Sequence, residues 1–495
     1  MFFIPSSPNK TKKKRMIGRK KEIKELNKLY ENNSAELVAI FGRRRVGKTY
    51  LVDEVFSDRI TFRHTGLSPE STNPKGLLNR QLEHFYSSLT LQGMSECKKP
   101  KSWFDAFLLL EKHLMNIDDG SRQLVFIDEL PWLDSPRSEF ISAFEGFWNS
   151  WGCHRKNLMV IVCGSANSWI LNKLINAHGG LYNRLTYVIK LEPFSLGECK
   201  DFFESKNVKF SNYDIVQSYM VFGGIPYYLG YINGEKSLAQ NIDDIFFAHN
   251  AKLEDEFDRL FSSVFDNSEF VKSIVSFLST KNFGYTRAEI TKALGITDGN
   301  GITKALNALI ASNFIIKYVP FGLSKRDVHY KLTDPFCLFY LHFINNKTTI
   351  NEEFWLQNTS SQMVSTWRGY AFEYVCFNHI KEIKKALGIS GVISNVSAWS
   401  KKGDDVKGTQ IDLLIIRNDN VINMCELKFY SGDFEVDKEY YVTLMNRENL
   451  LLKNASPKAS IRNTLITTFG LKRNEYSSIF SNVVVIDDLF DGYRR

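Results

Sequence analysis

No apolar run in the 495-residue sequence approaches the ~18 residues that a membrane-spanning helix needs. The seven cysteines are scattered and include no C-x-x-C pair, which argues against a disulfide framework or a zinc site and for reduced thiols in a cytoplasm. The nine histidines show no H-E-x-x-H or comparable ligand spacing. The opening "MFFIPSSPNKTKKKR" sets its apolar residues before its charges, the reverse of a secretory signal. These absences leave a globular protein of ordinary make-up, 43% hydrophobic and 24% charged. Its length is too great for one core, and three domains are expected. A net charge of +8 favours an anionic partner. The basic cluster "KTKKKR" (residues 10–15) reads as a flexible solvated arm or as a nucleic-acid contact.

The stretch "AELVAIFGRRRVGKTYLVDEVF" (35–56) places an apolar strand before Gly42, then runs Gly42-Arg43-Arg44-Arg45-Val46-Gly47-Lys48-Thr49 and continues, from Tyr50, into a helical pattern. This is G-x-x-x-x-G-K-T in the strand–loop–helix setting the motif requires. The glycines let backbone N–H groups close around phosphate oxygens, and the helix N-terminus adds its positive end. Residues 42–50 are therefore the candidate phosphate cradle for ATP, with Lys48 on the outer phosphates and the Thr49 hydroxyl on Mg²⁺. A second apolar run, "RQLVFIDELPWL" (122–133), ends in Asp128-Glu129. Asp128 suits the Mg²⁺ shell, and Glu129 is placed to polarise the attacking water. A third, "LMVIVCGSANSW" (158–169), ends at Ser165 and Asn167; either one sits near the γ-phosphate, or the segment is an ordinary strand-to-helix turn. Arg184 either stabilises transition-state charge or forms a structural salt bridge.

Several pieces occur in order over residues 16–231: "MIGRKKEIKELNKLY", "FGRRRVGKTYL", "VFIDELPWL", "VCGSANSW", "GGLYNRL", "LEPFS" and "GGIPYYL". Together they resemble the archaeal-type ATPases, a P-loop group related to AAA+ and the signal-transducing NTPases. The resemblance implies phosphate contacts from Lys48 and Thr49, and Mg²⁺ and water roles for Asp128 and Glu129. Arg184 aligns with the arginine of that group's "LYGR"-like motif, although Asn183 stands where glycine is usual.

After a helical connector (232–267), "SEFVKSIVSFLS", "YTRAEITKALGI" and "GNGITKALNALIASNFI" read as three short amphipathic helices. Thr286 and Glu289 form a capping box. Two strands follow, "IIKYVPFG" and "RDVHYKLTD". Three helices and a hairpin suggest a winged helix-turn-helix, which faces either DNA or a protein. Its third helix offers Thr303, Lys304, Asn307 and Ser312 as exposed positions. "TDPFCLFYLHFI" (333–344) is expected to be a buried connector helix that closes a unit over 268–353.

The final unit, 354–495, is expected to be a small α/β domain with a mixed sheet. Within it, "TQIDLLIIRNDNVINMCELKFY" reads as a hairpin whose three-residue loop, Asn418-Asp419-Asn420, pairs Arg417 with Val421. The same register sets Asp412 opposite Glu426, with Lys428 on their face. Like charges so placed repel. Lys428 neutralises them, one acid is protonated, or a divalent ion takes both as oxygen ligands. Asp…Glu-x-Lys, with Glu373 on an upstream helix, resembles the PD-(D/E)XK nucleases and the C-terminal domain that follows many archaeal-type ATPase cores. That likeness implies Glu373, Asp412, Glu426 and Lys428 as catalytic residues and a Mg²⁺ or Mn²⁺ ion on Asp412 and Glu426. It departs from the pattern in having Gln410-Ile411 before Asp412.

The fold class expected is therefore an α/β P-loop NTPase core with a parallel sheet, a helical and winged-helix middle, and a nuclease-like α/β end. The function expected is a cytoplasmic, Mg²⁺-dependent ATPase coupled to a domain that binds or cuts nucleic acid, DNA before RNA. Mobile-element and phage-defence proteins combine such parts. The alternative is a nucleotide-dependent regulatory switch with an inert C-terminal domain and a DNA or protein partner. No membrane partner is expected. A ring that borrows an arginine from its neighbour and a single copy acting alone are both consistent with the motifs.

Overall fold

Five parallel strands carry the first unit: β1 (Glu36–Phe41), β2 (Phe62–Thr65), β3 (Gln123–Asp128), β4 (Leu158–Gly164) and β5 (Tyr187–Lys190), in the order β2-β3-β4-β1-β5. β1, β3 and β4 are buried along their whole length, as expected for parallel strands covered on both faces. Strand alternation divides them between two apolar layers: Val38, Ile40, Leu124 and Phe126 join one, and Leu37, Ala39, Val125 and Ile127 the other. The computed structural model describes residues 16–68, 76–176, 180–181, 183–265, 267–345, 351–401 and 409–490. The basic cluster at 10–15 lies outside them.

The middle of the chain runs helix Ser268–Leu278, β6 (Tyr285–Thr286), helix Arg287–Leu294, helix Asn300–Ala311, β7 (Ile315–Tyr318) and β8 (His329–Leu332). β8 lies between β6 and β7 in an antiparallel sheet. The capping box on Thr286 and Glu289 is formed. Lys304 and Asn307 are exposed as expected, but Ser312 is buried. Periodicity along one helix does not register that its last turn is pressed against the first unit, where Ala311 O accepts a hydrogen bond from Asn167. The aromatic segment forms Pro335–Phe339 and the π-turn Tyr340–Ile344, both buried.

The last unit is a mixed sheet of β9 (Ser394–Lys401), β10 (Thr409–Arg417), β11 (Val421–Lys428), β12 (Ser460–Thr467) and β13 (Asn482–Val485), ordered β13-β12-β11-β10-β9. Helices Gln362–Asn378 and Lys438–Asn454 belong to it. One apolar cluster runs without a break from Leu26 in the first unit to Phe490 in the last.

A histidine joins the first and last units. The backbone N–H of Leu196 donates to His379 Nε2 at 3.1 Å, so Nδ1 carries the proton and donates to the Val375 carbonyl at 2.8 Å. Burial lowers the pKa of His379, and burial with His84 nearby lowers that of His64 to about 3. Both rings are therefore neutral in the fold, while unfolded imidazoles take up protons near 6.5. Their stabilisation is complete above that pH and is lost as the pH falls toward the folded values, at up to about 1.4 kcal/mol per pH unit for each ring. Tm measured at pH 7, 6 and 5 should drop progressively, and His64→Gln should flatten the slope.

Candidate nucleotide site and acid cleft

The phosphate loop follows β1 with a backbone that few side chains allow. Gly42 has φ +150°, and a Cβ there would lie 2.2 Å from Leu191 O; Gly47 has φ +91°. Arg45 (φ 72°) and Glu129 (φ 46°) hold the left-handed region without being glycine, a local strain that the surrounding packing must impose.

Lys48 opens helix Lys48–Phe56, and its Nζ donates to Gly42 O (3.1 Å), Arg43 O (3.2 Å) and Ser165 Oγ (3.0 Å). Burial pulls the Lys48 ammonium below its ordinary pKa, and Glu129 foremost opposes the shift. Ser165 Oγ donates in turn to Glu129 Oε1 at 2.9 Å, and Ser165 N–H to Glu129 Oε2 at 3.1 Å. Beside this chain Thr49 Oγ1 donates to Asp128 Oδ2 at 2.7 Å. These two oxygens are of the kind a hard divalent cation takes, so the residues fit Mg²⁺. Asn167 receives the Gly42 N–H at 2.9 Å. Ser165 and Asn167 are thus both at the loop, the first on its lysine and the second on its backbone.

A cavity of about 900 Å³ opens here, lined by Arg44, Arg45, Val46, Gly47, Lys48, Thr49, Tyr50, Glu129 and Ser165. That size suits a nucleotide. The wall also includes Met16, Arg19, Phe194, Phe202 and Tyr227, to which sequence reasoning assigned no role. The "MIGR" before the first helix and the "LEPFS" and "GGIPYYL" stretches were the available signals. Arg19 donates to Glu192 O at 2.6 Å and lies over Phe194, 4.8 Å from the ring centre. Arg184 is exposed, does not line this cavity, and forms no ion pair among the described residues.

Two loop arginines pair with acidic side chains. Arg43 is buried in an ion pair with the equally buried Asp334, which caps helix Pro335–Phe339. The Arg43 side chain is not part of the cavity wall, while its carbonyl accepts from Lys48 at 3.2 Å. Arg45 lies on Glu256 with contacts of 2.6 and 2.8 Å, and over Tyr227 at 4.1 Å.

The hairpin keeps the expected register, from Ile416 opposite Ile422 to Leu413 opposite Cys425. The next pair, Asp412 and Glu426, falls past the end of that ladder, and the pairing of β10 with β9 shifts between Ile411 and Leu414. The two acids meet different partners. Glu426 accepts from Tyr440 and from Arg447 (2.9 Å) and pairs with Lys428 at 3.0 Å. Asp412 receives Gln410 Nε2 at 2.5 Å and lines a separate cleft of about 840 Å³ with Glu373, Lys281 and His342. Glu373 is 7% exposed, and its Oε2 has no hydrogen-bond partner. Burial first, then Asp412, pushes Glu373 up to about 8, against the pull of Lys331. Among the described residues no three His, Cys, Asp or Glu side chains are grouped to hold a metal. Carboxylate oxygens of Glu373 and Asp412 suit a hard cation, whereas Glu426 is already compensated by its own partners.

The first site is that of a P-loop ATPase. Residues 16–232 match the profile of the ATPase domain found predominantly in Archaea. An uncharacterised protein of Methanocaldococcus jannaschii is 26% identical over 443 residues, 88% of this chain and 92% of that protein. Among solved structures, a Walker-type ATPase of Pyrococcus abyssi is 17% identical, with TM-score 0.45, over 66% of this chain and 96% of its own. The ORC2 protein of Aeropyrum pernix, in ADPNP–ADP complexes, is 12% identical with TM-score 0.39, over 66% of this chain and 93% of its own. Among the described residues no helix is long and apolar enough to cross a membrane.

Removing one partner of a buried ion pair leaves an uncompensated charge and costs ~3–5 kcal/mol. Arg43→Ala is expected to lower the unfolding free energy by that amount in urea titrations, with Asp334→Ala losing a similar amount.

Proposed function

We propose that this protein is a Mg²⁺-dependent ATP-hydrolysing switch whose nucleotide state acts on its middle and C-terminal units. The observation that carries the reading is the chain Lys48–Ser165–Glu129 beside the pair Thr49–Asp128. Lys48 compensates the outer phosphates, Thr49 and Asp128 hold Mg²⁺, and the ion supplies charge compensation to the phosphoryl oxygens. Glu129 takes the proton of the attacking water. Ser165 touches both Lys48 and Glu129, so its hydroxyl orients the two groups relative to each other.

The ordered helix–strand–helix–helix–strand–strand middle is a winged-helix module in this reading. Its third helix has few cations for a phosphate backbone. Lys304 is exposed, but Arg287 is engaged by Asp298 and Thr303. A protein-facing or nucleotide-transmitting role fits these facts better than DNA reading.

A second reading is favoured by one specific observation: the orphaned, buried Oε2 of Glu373 beside Asp412 in a cleft. In that reading the C-terminal unit is nuclease-like, Glu373 and Asp412 hold Mg²⁺ or Mn²⁺ with waters, and Lys428 and Glu426 flank them. The substrate is then nucleic acid, with DNA first, in the setting of mobile-element or phage-defence proteins.

Phosphate release from ATP with Mg²⁺ tests the first reading. Glu129→Gln should slow turnover by ~10²–10⁴-fold while a fluorescent ATP analogue still binds within a few-fold of the unchanged protein. Failure of the unchanged protein to bind the analogue refutes the ATPase reading. The second reading predicts metal-dependent cleavage of DNA that Asp412→Asn removes.

A further inference from the structure

Lys331 sits in the middle of β8, opposite Ile316, and is 2% exposed. An ammonium so buried needs close compensation. It has Glu373 Oε2 at 3.9 Å, too long for a hydrogen bond, and the rings of Phe377 and Tyr374 at 4.4 and 4.9 Å. Lys331 comes from the middle unit and Glu373 from the C-terminal one. The ion pair therefore crosses between units at the acid cleft, and it is loosely made on both sides.

Three residues further along the same segment stands Asp334, whose carboxylate receives the guanidinium of Arg43 from the phosphate loop. At ~3.3 Å per residue the two positions are about 10 Å apart. The link between them is stiff. Thr333 N and Asp334 N both donate to Phe314 O, and Asp334 Oδ1 caps helix Pro335–Phe339 through Cys337 N at 2.8 Å. One short segment thus carries a counter-charge to the phosphate loop at one end and a counter-charge to the acid cleft at the other.

We propose that residues 331–334 form an interlock between the two sites, in which Lys331 occupies the cation position of the Glu373–Asp412 cleft. This inference rests on the second reading above and adds its regulation. Phosphates arriving at the loop add negative charge beside Arg43 and weaken its hold on Asp334. The freed segment shifts, Lys331 leaves Glu373, and a divalent cation takes its place on the two carboxylates. The reverse follows by reciprocity, since a cation in the cleft that expels Lys331 strengthens nucleotide binding by the same factor.

The test uses the full chain and Mn²⁺, with free ion followed by electron paramagnetic resonance in the absence of nucleotide. Lys331→Gln should gain a site at least tenfold tighter than any on the unchanged protein, and Lys331→Gln/Asp412→Asn should lose it. Equal uptake by Lys331→Gln and the unchanged protein overturns the interlock, and binding by both at the cleft leaves the metal reading standing. A second measurement needs no variant, so a misfolded Lys331→Gln does not end the test. Hydrogen exchange of the unchanged protein is compared with and without a non-hydrolysable ATP analogue and Mg²⁺. Amides of 329–334 and 370–376 should exchange at least threefold faster with the analogue. Protection of the phosphate loop with no change at those segments refutes the interlock alone, whereas no protection of the loop refutes the ATPase reading itself.

Discussion

The buried pair between Arg43 and Asp334 is the constraint on which the arrangement of the units depends. A phosphate loop ordinarily turns its cations toward its ligand. Here Arg43 is drawn backward into a region where water cannot solvate it, and its Nε and Nη2 find no hydrogen-bond partner. Such a charge needs a counter-charge close by, which Asp334 supplies here. That requirement holds the cap of helix Pro335–Phe339 against the loop. Arg45 makes a second such pair on Glu256, whose Oε1 also accepts from Tyr228 at 2.9 Å. The nucleotide site and the middle unit therefore share their charges.

The parts of the site legible in the sequence are those made by one short stretch of chain. The phosphate loop is a strand, a turn and a helix start in succession, so its residue types report its geometry directly. Asp128-Glu129 at a strand end is read the same way. The aromatic wall of Phe194, Phe202 and Tyr227 is assembled from separate segments, and no spacing within any of them announces it. The hairpin register was legible because a three-residue loop determines it locally. The shift between Ile411 and Leu414 was not, because it depends on β9. For the same reason Arg447 and Tyr440, which hold Glu426, lay hidden in helix Lys438–Asn454, where no spacing points to the facing strand. Ser312 was misread because the surface that covers it belongs to another unit.

The acids of the last unit illustrate how burial and partnership divide the work. Glu426 is surrounded by two cations and a phenol. Glu373, deeper and less well partnered, is pushed toward neutrality near physiological pH. Two carboxylates a short way apart on one sheet and its covering helix thus differ by environment and not by residue type.

The unbroken apolar seam from Leu26 to Phe490 bears on how such a chain is inherited. A tail exchanged between relatives would bring a foreign face to the helices of the recipient, where every side chain must refit at once. Lineages should therefore keep or lose the front and back of this protein together, and natural hybrids should join in the polar segments outside that seam.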